Sequence, residues 1–176
     1  MVRAIVYQQL AGRAAKAIHG RLEAAVHGDV TPDTLARLDD ETYATCGLSA
    51  AKREAVRDLA AKVRNGTVRP ERHGRMTDSE VVAELITVRG IGPWTAQMYL
   101  MSQLGRHDVW PVLDFGVRSG WSQLHGLTTL ISSKELAGAA NHLAPYRSSV
   151  AWYCWQAVDL GITSSRSDRK STRLNS

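Results

Sequence analysis

Cysteine is nearly absent from this 176-residue chain, which contains only Cys46 and Cys154. The two lie far apart and form no CxxC pair, so neither a disulfide framework nor a four-thiolate iron-sulfur cluster can be built. We expect both to be ordinary buried thiols. The six histidines show no i, i+4 pair and no acidic companion at metal-ligand spacing, so no zinc site is predicted.

Long hydrophobic runs are also missing, since no stretch approaches the roughly 18 apolar residues of a membrane span. The start of the chain lacks the layout of a signal peptide, which predicts a cytoplasmic protein without a membrane partner. Alternating stretches long enough to indicate a sheet are missing as well, whereas apolar residues recur at helical spacing throughout. The chain is therefore predicted to be all-α.

The net charge of +5 fits a polyanionic partner but fits many other proteins too. Part of this charge belongs to residues 168–176 (DRKSTRLNS), which resemble the translated read-through of a sequencing adapter. We expect residues 166–176 to form a disordered tail. The folded domain is accordingly predicted to span residues 1–165.

Local signals place individual helices along the chain. An apolar stripe over residues 2–26 is interrupted by Gly12 and Gly20, which leaves two helices or one kinked helix open. Thr31 followed by proline predicts a short helix that ends near Asp40. Capping boxes at residues 77–80 and 132–135 predict helices that begin directly after Thr77 and Ser132.

Two further segments complete this prediction. Residues 66–76 are polar and basic, which indicates a connection between helices. Residues 149–160 form a last helix rich in tryptophan. We expect Trp152 and Tyr153 of this helix to lie in the core, because most aromatic clusters of this kind do.

Residues 88–96 (VRGIGPWTA) carry two glycines one residue apart between two apolar helical stretches. Glycine tolerates positive φ and lets another backbone come close. Pro93 presets the first turn of the following helix, whose free amides and positive dipole end suit a phosphate. Taken alone, however, a glycine pair between helices is also typical of a plain helix-turn-helix corner.

The full string resembles the helix-hairpin-helix motif of DNA repair glycosylases, except that Arg89 stands where proline is usual. The resemblance implies binding to DNA phosphates that tolerates sequence and weakens with salt. The residues implied in this binding are Arg89, Gly90, Ile91, Gly92 and Thr95. In that family the hairpin often holds a monovalent cation, which implies Na⁺ or K⁺ at the backbone carbonyls of Ile86, Val88 and Ile91.

Asp114 follows the hairpin helix after a short loop, at the predicted start of another helix. Alone it indicates an N-cap, worth about 1 kcal/mol. The same glycosylases carry an essential aspartate in a similar setting, which implies that Asp114 is catalytic. Breaking an N-glycosidic bond builds positive charge on the sugar, and a carboxylate in a partly desolvated cleft stabilises it and activates water.

Trp94 indicates the subclass within this resemblance. Members that also nick the strand carry a lysine at this position, which forms a Schiff base with the sugar. The tryptophan here instead resembles the 3-methyladenine glycosylase II branch, which has tryptophan at this position, and this implies no lyase chemistry. An indole face attracts an electron-poor alkylated purine. The resemblance adds to the base pocket Trp155, Gln8 and Met98, and it implies that Gln9 fills the gap left by a flipped base.

Together the residues and the resemblance predict a two-lobed helical glycosylase domain with a cleft between the lobes, monomeric and incomplete at its N-terminus. The predicted function is base-excision repair, in which alkylated purines are hydrolysed from double-stranded DNA without a required cofactor. The alternative is a non-catalytic helix-hairpin-helix DNA-binding module, and a strand-nicking glycosylase is a third hypothesis. The sequence does not rank the damaged bases.

Overall fold

The computed structural model describes residues 1–10 and 12–162. The predicted tail at 166–176, with its adapter-like segment, lies outside the described residues. Every regular element in these ranges is helical, so the all-α prediction is confirmed. None of the described helices has the length and apolar character needed to cross a membrane.

The chain divides into two compact units, of which unit 1 is Met1–Gly105 and unit 2 begins at Arg106. Unit 1 contains α1 (Val2–Tyr7), α2 (Gly12–Ala25), α3 (Pro32–Arg37), α4 (Asp40–Cys46), α5 (Ala50–Arg64), α6 (Asp78–Leu85) and α7 (Pro93–Ser102). Its fully buried side chains include Ile5, Leu22, Tyr43, Val56, Leu85 and Leu100. Unit 2 contains α8 (Phe115–Leu124), α9 (Ser133–Ala139) and α10 (Arg147–Asp159).

The first four helices of unit 1 begin and end at positions that the sequence predicted only in part. The apolar stripe of residues 2–26 forms two separate helices, α1 and α2. The single helix expected from Thr31 to about Asp40 is wrong, because α3 ends at Arg37 and Leu38 is extended. The Asp39 carboxylate accepts the amide of Thr42 at 2.7 Å and so caps a new helix, α4.

The polar segment 66–76 is more than the connection that we predicted. It contains a 3-10 helix (Pro70–Arg75) in which His73 is fully buried. The ring of His73 lies 2.8 Å from Glu84 Oε1 on α6 and 3.1 Å from the Tyr99 hydroxyl on α7. Burial, followed by the charge of Glu84, raises the pKa of Tyr99. These hydrogen bonds connect the segment to α6 and α7.

Both predicted capping boxes are confirmed. The side chains of Thr77 and Glu80 exchange hydrogen bonds with each other's backbone amides at the start of α6. Ser132 and Glu135 form the same pair at the start of α9. Each box satisfies two amides that a helix start would otherwise leave without partners.

Unit 2 is organised by the close packing of α8 against α10. A Cβ built on Gly120 would lie 1.9 Å from the carbonyl oxygen of Cys154, so only glycine fits at this crossing. Helix α10 presents the small side chains of Ala151, Cys154 and Ala157 to the interior. An ion pair between Arg147 and Asp108, at 2.7 Å, fixes the start of α10.

Trp152 and Tyr153 are not in the core, so this prediction is wrong. Their residues are 51% and 62% exposed in the described structure. The reason is the close approach of the helices at Gly120, which leaves room only for small side chains on the buried face of α10. The two large rings lie instead on the outer face, where they pack edge to face with centroids 5.1 Å apart.

Candidate active site and nucleic-acid interface

The two glycines of the hairpin, which we define as residues 88–96, have different structural roles. Gly90 has φ +76°, and a Cβ there would lie 3.1 Å from the Cβ of Ala55 on α5. Gly92 has φ −96° and ψ 176°, which any residue adopts. A Cβ on Gly92 would meet no atom of the described chain within 4 Å. The fold itself therefore requires glycine at 90, whereas nothing inside unit 1 requires it at 92.

Helix α7 begins at Pro93, as predicted, and no side chain in the described ranges caps it. The positive end of its dipole is therefore not neutralised by a capping carboxylate. Trp94, in the first turn, is 37% exposed although it is a large apolar residue. Met98 is half-buried and lies four residues further along the same helix, so the two side chains share one face.

Gln8 connects the end of α1 to the hairpin. Its Nε2 donates to the carbonyl of Gly90 and to the hydroxyl of Thr95, each at 2.8 Å. Thr95 is buried, so its side chain is committed to this contact. Gln8 thus has a structural role that the sequence did not indicate, in addition to the pocket role that we predicted for it.

Lys52 fixes the same region from α5. Its ammonium group donates to the carbonyls of Val6 and Gln8 at 2.7 and 2.8 Å. These carbonyls lie at the C-terminal end of α1, where a positive charge is favourable. Burial lowers the pKa of Lys52. This residue was missed, because a lone lysine on a helix gives no signal of its distant partner.

Gln9 follows directly and is exposed with φ +52°, a left-handed conformation that non-glycine residues rarely adopt. Strained backbone of this kind persists only where the surroundings impose it. Here Lys52 and the carboxamide of Gln8 hold the preceding residue. The geometry thus presents the side chain of Gln9 to solvent.

The predicted cation ligands lie at the entrance to the hairpin. Val88 and Ile91 are buried and Ile86 is exposed. The amide of Ile91 donates to the carbonyl of Val88 at 3.0 Å and closes the turn. A carbonyl oxygen has a second lone pair, so this bond leaves the Val88 oxygen able to act as a ligand.

Asp114 lies in unit 2 as the N-cap of α8, as its position in the sequence predicts. Its Oδ1 accepts the amide of Val117 at 2.8 Å and the indole Nε1–H of Trp155 at 2.9 Å. The carboxylate is half-buried, and exposed apolar residues precede and follow it, Leu113 at 68% and Phe115 at 69%. Two predicted site residues, Asp114 and Trp155, are therefore in direct contact.

Gly116 makes this contact possible. A Cβ on Gly116 would lie 2.7 Å from Cδ1 of Trp155 and 3.2 Å from Oδ1 of Asp114. Any larger residue would push the indole away from the carboxylate. The sequence does not predict this role, because Gly116 has an ordinary helical position and its neighbour Trp155 on α10 lies 39 residues further along the chain.

Cys154 lies beside the same group but does not compete with it as a reactive site. Burial, followed by the negative charge of Asp114, raises the pKa of the Cys154 thiol to about 11. The thiol is therefore protonated at neutral pH. This agrees with the expectation that Cys154 is a buried structural residue, which also holds for Cys46.

Comparison with known proteins finds relatives that are named as base-excision repair proteins or DNA glycosylases. The family model described as "HhH-GPD superfamily base excision DNA repair protein" matches residues 2–145. DNA-3-methyladenine glycosylase 1 of Schizosaccharomyces pombe is 31% identical, over 91% of this chain and 72% of its own length. The DNA-3-methyladenine glycosylase of Saccharomyces cerevisiae is 34% identical, over 68% of this chain and 43% of that protein.

Solved structures show the same relationship. The S. pombe 3-methyladenine DNA glycosylase in complex with abasic DNA superposes with a TM-score of 0.83 and 32% identity, covering 90% of this chain and 78% of that one. The DNA-3-methyladenine glycosidase of Bacillus halodurans superposes with a TM-score of 0.79 and 36% identity, covering 89% and 72%. The chain therefore belongs to the HhH-GPD superfamily of base excision DNA repair proteins.

Proposed function

We propose that this protein is a monofunctional DNA glycosylase that hydrolyses alkylated purines from double-stranded DNA as the first step of base-excision repair. The observation that carries the proposal is the carboxylate of Asp114, which is held at the start of α8 by the amide of Val117 and the indole of Trp155. The Val117 bond is that of an ordinary helix cap, but a cap requires neither the indole contact nor the exposed apolar residues on both sides, Leu113 and Phe115.

In the proposed reaction the N-glycosidic bond breaks and the leaving base takes its electron pair. Positive charge then develops on the deoxyribose, and the Asp114 carboxylate stabilises that charge. Water adds to the anomeric carbon, and the same carboxylate orients it and accepts its proton. The exposed apolar residues beside Asp114, Leu113 and Phe115, would reduce access of bulk water once DNA is bound.

The proposed DNA contact in unit 1 uses the hairpin. Gly92 leaves open space that the protein's own packing does not need, which is the condition for a phosphate to approach the backbone closely. The uncapped start of α7 favours an anion at the same place. Arg89 adds a positive charge, and the exposed Gln9 is proposed to enter the space left by the flipped base.

The proposed substrate class rests on Trp94 and on the relatives. An accessible indole attracts a cationic, electron-poor ring by stacking and by cation-π interaction, and methylation of a purine produces such a ring. Relatives at 31% and 34% identity are named DNA-3-methyladenine glycosylases. We propose that Met98 and Gln8 of unit 1 contact the base as well, and that Trp155 of unit 2 does so beside Asp114.

Tryptophan at position 94 also supports hydrolysis without strand cleavage. A lyase needs an amine that forms a Schiff base with the sugar. The nearby amines of Lys52 and Lys62 donate to backbone carbonyls within unit 1. We propose a cytoplasmic, monomeric enzyme that requires no zinc or iron-sulfur cluster.

We propose that the hairpin carbonyls bind a monovalent cation, Na⁺ or K⁺, because backbone oxygens are suitable ligands for such ions and the Val88 oxygen retains a lone pair. Ile86, Val88 and Ile91 would hold such an ion. It would supply structural support to the turn and would take no part in bond cleavage.

The experiment compares the wild-type protein with Asp114→Asn on duplex DNA carrying methylated purines, and it measures released base and DNA affinity separately. Asparagine retains an oxygen that can accept both hydrogen bonds, so the fold should be unchanged while the charge is lost. We expect base release to fall by roughly 100-fold or more, with similar DNA affinity.

Two outcomes would contradict the proposal. Equal DNA binding with no base release by either protein would indicate the non-catalytic module. Trapping of a protein–DNA adduct by borohydride during base release would indicate a strand-nicking enzyme. A matched control is Asp159→Asn, which removes the same charge from the exposed end of α10 and should leave base release unchanged.

A further inference from the structure

Two charged side chains of α5 contact the chain as it enters the hairpin, and the proposed reaction does not use them. The Oδ2 atom of Asp58 accepts the backbone amide of Arg89 at 2.7 Å and the ammonium group of Lys62 at 2.8 Å. Lys62 also donates to the carbonyl of Thr87. One carboxylate and one ammonium group thus hold an amide and a carbonyl of the same short segment.

These bonds differ from an ordinary pair of surface charges. The side chains of Lys62 and Asp58 are 23% and 30% exposed, so water screens them only in part. Burial by itself raises the pKa of Asp58, but the hydrogen bonds from Lys62 and from the Arg89 amide outweigh it and leave the pKa below its ordinary value. The carboxylate form is therefore stabilised where it contacts the hairpin.

The amide that Asp58 binds exists only because residue 89 is not proline. Proline, which is usual at this position of the motif, has no N–H and could not form this bond. Arg89 thus offers two separate groups, its backbone amide and its guanidinium. The guanidinium pairs with Glu54 at 2.9 Å, and with exposures of 71% and 51% this is a weak surface pair.

We propose that Asp58 and Lys62 are positioning residues that set the conformation of the hairpin, acting through the backbone amide of Arg89 and the carbonyl of Thr87. The inference rests on the proposed function for its effect on DNA binding, although its effect on the hairpin is independent of DNA. It predicts that a proline at residue 89 removes the hydrogen bond to Asp58 and so leaves the hairpin of this chain held less firmly.

The first test compares Arg89→Ala with Arg89→Pro, each made in the wild-type protein and in Asp58→Ala, and measures affinity for undamaged duplex DNA. Both substitutions remove the guanidinium, but only proline removes the amide. In the wild-type background we expect Arg89→Pro to bind roughly 10-fold more weakly than Arg89→Ala, as loss of one hydrogen bond to a charged group implies. In the Asp58→Ala background the two should bind equally.

The second test needs no DNA and measures hydrogen exchange of the Arg89 amide by NMR. We expect exchange to be faster by roughly 10-fold in Asp58→Ala, with a smaller effect in Lys62→Met. Lys62→Arg retains a donor and should restore most of the protection. Asp58→Asn keeps an acceptor oxygen without the charge and should fall between the wild type and Asp58→Ala.

The two tests separate failure of this inference from failure of the proposed function. If the wild-type protein bound no DNA, the proposed function would fail and the exchange measurement would still decide the inference. Unchanged exchange of the Arg89 amide in Asp58→Ala would overturn the positioning role. An equal additional loss of DNA affinity from proline in both backgrounds would overturn it as well.

Discussion

The two units hold their candidate functional residues by different means. In unit 1 the hairpin and the end of α1 are held by hydrogen bonds from four polar or charged side chains, those of Gln8, Lys52, Asp58 and Lys62. In unit 2 Asp114 is held by the indole of Trp155, which reaches it because glycines allow close packing. Flexible polar contacts can be lost one at a time, whereas close packing fails as a whole.

The largest effect should come from closing the space between α8 and α10. Gly120→Ala places a methyl group against the carbonyl of Cys154, so the backbone must move, and we expect the free energy of unfolding to fall by about 3 kcal/mol. Gly138→Ala in α9 is the control, because its Cβ would meet no described atom within 4 Å. Its free energy of unfolding should rise by about 0.5–1 kcal/mol. Urea unfolding measures both. Equal stabilities would contradict this account of unit 2.

A smaller effect is expected from the indole of Trp155. Trp155→Phe keeps an aromatic ring but removes the N–H that contacts Asp114, and the Val117 amide remains as a partner. We expect base release to slow by roughly 10-fold, which corresponds to about 1.4 kcal/mol of transition-state stabilisation. The matched control is Trp152→Phe on the exposed face of the same helix, which should leave the rate unchanged. If both variants slowed equally, the indole contact would have no specific role.

In unit 1 the removal of one polar contact should have a moderate effect. Lys52→Met leaves the carbonyls of Val6 and Gln8 without their ammonium donor, but it also removes the desolvation penalty of a partly buried charge. The net loss of stability should be about 1 kcal/mol. Lys16→Met removes the same charge from an exposed site and serves as the control. Thermal unfolding that ranks the two variants alike would argue against the Lys52 contact.

The smallest effect concerns the pH dependence of unit 1. The pKa of Asp58 is lowered in the folded protein, so its stabilising contribution is present above the unfolded pKa of about 3.9 and is lost as pH falls through the lower folded value. Asp58→Asn cannot titrate, so the stability difference between wild type and variant should shrink below about pH 4. Urea unfolding between pH 7 and pH 3 tests this, and a constant difference would contradict it.

Features that depend on local sequence could be predicted. The capping boxes at Thr77 and Ser132, proline at the start of α7 and Asp114 at the start of α8 all act over one helical turn, so the sequence contains the whole interaction. The family followed from residues 88–96 and from Asp114 for the same reason, because its motifs are short and contiguous.

Features that depend on distant contacts could not be predicted. Nothing near Trp152 or Tyr153 shows that Gly120, more than 30 residues earlier, forces α10 to present its small side chains inward. His73 looked like part of a polar loop because its partners, Glu84 and Tyr99, are on later helices. The i, i+4 spacing of Asp58 and Lys62 is visible as a helical ion pair, but its bond to the Arg89 amide is not.

The central claim is that the hairpin serves DNA binding and that Asp114 serves bond cleavage. It is tested most directly by measuring the single-turnover rate of base release against protein concentration for Gly92→Ala and Asp114→Asn. We predict that Gly92→Ala shifts the half-saturating concentration upward by roughly 10-fold with the same limiting rate, since the alanine fits the fold but obstructs a phosphate. Asp114→Asn should lower the limiting rate by roughly 100-fold or more at an unchanged half-saturating concentration. A wild-type limiting rate in Asp114→Asn would contradict the account.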